Sequence, residues 1–111
     1  MRRRQPEEQR GIEVGDLRID FVARQVGRGS RNIELTAREY ALLEYLALNA
    51  GKVLKKSSIL EKVWGYGFEG DSDPVKVFVN HLRTKLNAGG EPELIQTVRG
   101  YGYVLKEIRE A

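Results

Sequence analysis

The stretch DSDPVKVFVNHLRTKL, residues 71–86, limits the fold more than any other part of the chain. At 100° per residue Val75, Val79, Leu82 and Leu86 fall on one stripe, which must face a core. Asp73 can cap the first turn by accepting from its orphan N–H groups, and Pro74 suits the first helical position, which needs no donor. The spacing predicts a helix that starts there and ends near Asn87. Lys76, Val77, Asn80, His81 and Thr84 fall on the far side, with Arg83 and Lys85 on the flanks. Hydrogen-bonding and cationic side chains on one face of an anchored helix are what phosphates and major-groove base edges require. An ordinary solvated face has a similar composition.

With 111 residues the chain is read as one domain with a single core. No apolar run approaches the roughly 20 residues of a membrane span, and MRRRQPEEQR contains no apolar segment of a secretory signal, so a cytoplasmic chain is expected. Without cysteine there is no disulfide or thiolate metal site, and one histidine does not make a zinc site; no cofactor or metal is expected. The net charge of +3 mildly favours a polyanionic partner. The excess is local. Residues 74–106 hold five Lys or Arg against two Glu, whereas 36–73 hold five against six acids.

Residues 1–11 are polar and aperiodic and are read as a tail or linker, with the domain over 12–108. From Ile12 to Leu35 the runs IEV, LRIDF, RQV and NIEL, separated by Gly and Asn, predict four short antiparallel strands. Leu17, Ile19 and Phe21 alternate with Arg18 and Asp20, giving one apolar face. Thr36 and Glu39 form a capping box before a helix that buries Tyr40, Leu43, Leu46 and Ala47 and stops at Gly51. A shorter helix, SSILEKVWG, carries Ile59, Leu60, Val63 and Trp64.

The final segment reads as a β-hairpin, Ile95 to Val98 and Tyr103 to Leu105, joined by Arg99-Gly100-Tyr101-Gly102. A slim tip with a long cation can enter a minor groove. Taken alone, an ordinary surface hairpin is the slightly favoured reading. Three helices followed by this hairpin describe an α+β winged helix-turn-helix with an N-terminal four-stranded antiparallel sheet.

The runs ELTAREYALLEYLALNAGKVL, ILEKVWGYGFEGDSD, VKVFVNHLRTKL and IQTVRGYGYVL resemble, in order and spacing, the DNA-binding effector domain of OmpR/PhoB-type response regulators. The resemblance implies sequence-specific binding of double-stranded DNA, with the third helix in the major groove and the wing in the minor groove. It implies base-edge contacts from Lys76, Val77, Asn80 and His81, with Thr84 on the same face. Phosphate contacts would come from Arg83 and Trp64, and wing contacts from Thr97, Arg99 and Tyr103. Lys76 stands where the family commonly has an acid, and Asn80-His81 where serine or arginine pairs are frequent. Lys55 replaces the usual Ser/Thr cap of the second helix. The implied partners are a receiver domain, a sensor kinase and a second copy arranged head to tail on a direct repeat.

In the family the loop between the second and third helices meets an RNA polymerase subunit, which here points to Tyr66, Phe68, Glu69 and Asp71. A plain solvated loop fits these residues as well. Glu69, Asp71 and Asp73 lack the twelve-residue spacing of an EF-hand, and Asp73 already serves as a cap. The rival function is a winged-helix protein-interaction module without DNA binding. No nucleophile–base–orienter series or phosphate-cradling loop suggests an enzyme.

Overall fold

Leu17 and Ile19 point into the core while Arg18 and Asp20 face solvent, so the alternation in the sequence becomes the pleat of a strand. In the computed structural model, which describes residues 10–65 and 73–107, this strand is the second of four. They are β1 (Gly11–Val14), β2 (Leu17–Asp20), β3 (Gln25–Arg28) and β4 (Arg31–Ile33), antiparallel in sequence order. The register sets Ile19 opposite Val26 and Val26 opposite Ile33, giving a continuous apolar face. Phe21 lies beyond β2 and is half-buried against the core. The tail at residues 1–9 and the loop bearing Tyr66, Phe68, Glu69 and Asp71 lie outside the described residues.

Helix α1 (Ala37–Leu48) begins with the capping box: the Glu39 N–H donates to Thr36 Oγ1 (3.2 Å) and the Thr36 N–H donates to Glu39 Oε1 (2.9 Å). Tyr40, Leu42, Leu43, Leu46 and Ala47 are buried. The helix stops before Gly51, because Asn49 closes it and donates from Nδ2 to the Tyr45 carbonyl (2.9 Å). Next comes β5 (Leu54–Lys55), a two-residue strand unforeseen in the sequence. Helix α2 (Lys56–Ile59) follows without a side-chain cap from Lys55 and widens into a π-helical turn over Leu60–Trp64. The Gly65 N–H closes that turn on the Leu60 carbonyl (3.1 Å).

Helix α3 (Pro74–Leu86) follows the periodicity closely. Val75, Val79, Leu82 and Leu86 are fully buried, and Asp73 accepts from the Lys76 N–H (3.1 Å). Strands β6 (Ile95–Val98) and β7 (Gly102–Leu105) form the hairpin, with Thr97 opposite Tyr103. Strand β7 starts one residue earlier than the sequence suggests, because Gly102 pairs with Lys55, which gives a three-stranded sheet β5-β7-β6. A Cβ on Gly102 would lie 1.8 Å from the Leu54 carbonyl oxygen, so only glycine admits β5 so close. At the tip Gly100 has φ +72° and the Tyr101 N–H donates to the Val98 carbonyl (2.9 Å).

Both sheets hold α3. Its C-terminal carbonyl, at Leu86, accepts from Arg28 Nη1 and Arg31 Nη2, each at 3.1 Å. Arg28 is fully buried, and its guanidinium also donates to Asp16 Oδ1 (2.8 Å), Asn87 Oδ1 (2.7 Å) and the Pro92 carbonyl. A buried cation saturated in this way caps the negative end of the helix dipole. Among the described residues no helix is long and apolar enough to cross a membrane.

Candidate nucleic-acid interface

With the stripe of α3 fixed in the core, the opposite side must face out. Lys76, Val77, Asn80, His81 and Thr84 are all exposed. Val77 remains 48% exposed, an apolar group at the centre of a polar face. Thr84 Oγ1 donates to the Asn80 carbonyl one turn back (3.0 Å), so its hydroxyl proton is used within the helix and its lone pairs face out. Asn80 and His81 keep their side-chain hydrogen-bonding groups outside such internal bonds among the described residues.

Arg83 lies on the flank facing the wing and is largely engaged there. Its Nε and Nη2 donate to the Ile95 carbonyl (3.1 and 2.8 Å), and Nη2 also donates to Thr97 Oγ1 (2.7 Å). Glu93 lies 3.5 Å from Nε, and the guanidinium carbon is 6.0 Å from the Tyr103 ring centroid. A residue assigned to phosphate contact is therefore also the bracket that sets the wing relative to α3. Thr97 and Arg99 are exposed, whereas Tyr103 is half-buried in the sheet beneath Arg83. Tyr101, absent from the sequence-based set, is the wing's exposed aromatic at 60%. Its place between the two glycines of the tip was the available signal.

On the other flank Trp64 is half-buried, edge-on to Phe78 with ring centroids 5.2 Å apart. The Arg38 guanidinium covers Trp64 at 5.1 Å, adding a cation from α1 that sequence reasoning missed. Glu39 is a further meeting point: its Oε1 accepts from Lys85 Nζ (2.7 Å), and its Oε2 lies 3.9 Å from His81 Nδ1. Burial pushes the Glu39 carboxyl up, but the Lys85 ammonium and the Thr36 N–H outweigh it and hold it below the ordinary carboxylate range.

Lys56 Nζ donates to Asp73 Oδ2 (2.8 Å), joining the start of α2 to the cap of α3. That ammonium holds the Asp73 carboxyl below its ordinary value against partial burial, with help from the Lys76 N–H, and Asp73 in turn raises Lys56. The acid that starts α3 is thereby neutralised. The outward surface of α3, the wing tip and the Arg38 side of Trp64 together offer cations and hydrogen-bonding groups without an unpaired acid on α3 itself.

The family described as "Transcriptional regulatory protein, C terminal" matches residues 30–105. The response regulator MprA of Mycobacterium tuberculosis is 49% identical over 110 residues, which cover 96% of this chain and 48% of that protein. The chain thus spans about half the length of the curated relatives it matches. The Klebsiella pneumoniae RstA DNA-binding domain, solved in complex with the RstA box, superposes with a TM-score of 0.77 at 36% identity, covering 88% of this chain and 98% of that one. The response regulator DrrB of Thermotoga maritima, an OmpR/PhoB homologue, gives a TM-score of 0.76 at 29% identity over 91% of this chain and 46% of its own. Fold, signature and identity agree: the chain belongs to the transcriptional regulatory protein C-terminal family, as a winged-helix effector domain of the OmpR/PhoB type of response regulator.

Proposed function

We propose that this domain reads duplex DNA, with α3 in the major groove and the wing in the adjacent minor groove, as the effector half of a two-component transcription regulator. The observation that carries this reading is the Arg83 bracket. From the flank of α3 it ties that helix to Thr97, so that two surfaces suited to neighbouring grooves are held as one unit. Lys76, Val77, Asn80 and His81 are the base-reading set, with Thr84 beside them. Arg83, Trp64, Thr97, Arg99 and Tyr103 meet the backbone and minor groove. The RstA domain bound to its box supports the reading by likeness of fold and sequence.

In the longer protein a receiver domain phosphorylated by a sensor kinase would bring two effectors head to tail onto a direct repeat. The loop with Tyr66, Phe68, Glu69 and Asp71 would meet an RNA polymerase subunit. Selection of duplexes from a random pool at moderate salt tests the central claim. Enrichment of half-sites about one helical turn apart, roughly 10 to 10.5 bp, is the expected result. Absence of any DNA affinity would overturn it in favour of a protein-interaction module.

A further inference from the structure

Glu39 is the N3 residue of α1, yet its carboxylate reaches across to the base-reading face of α3. Its side chain is only 6% exposed. One oxygen, Oε1, accepts both the Thr36 N–H (2.9 Å) and Lys85 Nζ (2.7 Å). The other, Oε2, accepts no hydrogen bond from the described residues and lies 3.9 Å from Nδ1 of His81, whose side chain is 57% exposed. The Phe78 ring, 5.8 Å away and tilted by 49°, flanks the imidazole. Since Nδ1 faces α1, the ring's other nitrogen, Nε2, is directed away from it.

We propose that Glu39 is a positioning residue for base readout: it holds the neutral His81 ring in the tautomer protonated at Nδ1, leaving Nε2 outward as a hydrogen-bond acceptor. At 3.9 Å the carboxylate acts through its field, which favours a proton on the nearer nitrogen. The charged groups around the ring are Glu39 from α1 and, one turn along its own helix, Lys85, which is bonded to the same carboxylate. Arg38 of α1 stands beyond Phe78, stacked on Trp64. An outward acceptor in the major groove suits a base carrying an exocyclic amino group, adenine N6 or cytosine N4. It opposes guanine, which presents only N7 and O6 acceptors. This base choice rests on the DNA-reading proposal; the tautomer does not.

Two measurements on the 111-residue chain separate them. The first is a long-range ¹H–¹⁵N correlation of the His81 ring at about pH 8.5, above the usual range of histidine titration. The wild type is expected to carry its proton mainly on Nδ1. Glu39→Gln, which keeps a capping-box residue at N3, is expected to shift the population toward Nε2. The second is binding to a selected operator with each half-site base pair varied in turn. One position should prefer an amino-bearing base by about fivefold, the share of a single hydrogen bond. His81→Ala should flatten that position alone, and Glu39→Gln should move it toward guanine. An Nε2 proton in the wild type, or a tautomer ratio insensitive to Glu39→Gln, overturns the positioning role. A guanine preference in the wild type, or an equal effect of Glu39→Gln at every position, overturns the base readout. Failure to bind any duplex overturns both the readout and the DNA-reading proposal, while the ring spectrum still decides the tautomer.

Discussion

Arg28 Nη1 donates to the carbonyl of Leu86, the last residue of α3, so the N-terminal sheet grips the helix at the end away from its cap. The same guanidinium meets Asp16, Asn87 and Pro92. Lysine cannot reproduce this fork of donors. Arg28→Lys is expected to destabilise the domain by about 2 to 4 kcal/mol in urea unfolding, since buried acceptors lose their partner. A change below about 0.5 kcal/mol, the range of plain surface substitutions, would show that the grip contributes little.

The wing supplies a paired comparison. Gly102→Ala pushes a methyl group into the Leu54 carbonyl, whereas Gly100→Ala meets open space and only an unfavourable positive φ. The first should cost about 3 kcal/mol or more and speed amide exchange in β6 and β7; the second should cost about 1 kcal/mol. Equal thermal shifts in the two variants would contradict the close β5–β7 approach.

The proposed function separates base reading from backbone contact on α3. Asn80→Ala is expected to alter base preference, losing about 1 to 3 kcal/mol on the selected operator and much less on random DNA. Arg83→Ala should weaken all sequences alike and reduce the salt slope by about one. It should also raise exchange at Thr97, because the bracket to the wing is gone. Titrations on both duplexes at several salt concentrations check this; equal losses for Asn80→Ala on both would refute its reading role.

Acid sensitivity follows from Glu39 and Asp73. Both carboxyls lie below their ordinary values in the folded chain, so they bind protons more weakly than in the unfolded chain. Their contribution to stability is complete above the unfolded carboxylate range and is lost as pH falls through the lowered folded values, from about pH 5 downward. Lys85→Met removes the main partner of Glu39 and should flatten that part of the pH profile. Thermal midpoints from pH 7 to pH 3 would show it as a smaller loss on acidification than in the wild type. An unchanged slope would mean that Lys85 does not set the Glu39 carboxyl.

The parts of this fold that are written locally can be read directly. The 3.6-residue period placed Val75, Val79, Leu82 and Leu86 in the core, and the T-x-x-E spacing placed a capping box that forms in full. Asp73 and Pro74 mark the start of α3 for the same reason: a cap needs only its own first turn. What depends on distant partners could not be read. Leu54 and Lys55 are too few to alternate, and they become a strand only because β7 arrives beside them. Nothing near Arg28 distinguishes it from the exposed Arg24; its burial follows from the Leu86 carbonyl and Asn87, far along the chain. At the interface the outward residues of α3 were legible from helical phase. The internal engagement of Arg83, the reach of Glu39 to His81 and the placement of Arg38 on Trp64 each join separate elements, and a one-dimensional pattern carries no such information.

The pairing of position 54 with position 103 sets an order on folding. Strands β1 to β4 close over short chain separations and β6 pairs with β7 as a local hairpin, whereas the β5–β7 pairing spans α2 and α3 and is the costlier loop to close. A chain truncated or stalled before Gly102 would carry β5 and β6 without the strand that lies between them, so the second sheet exists only once β7 is in place.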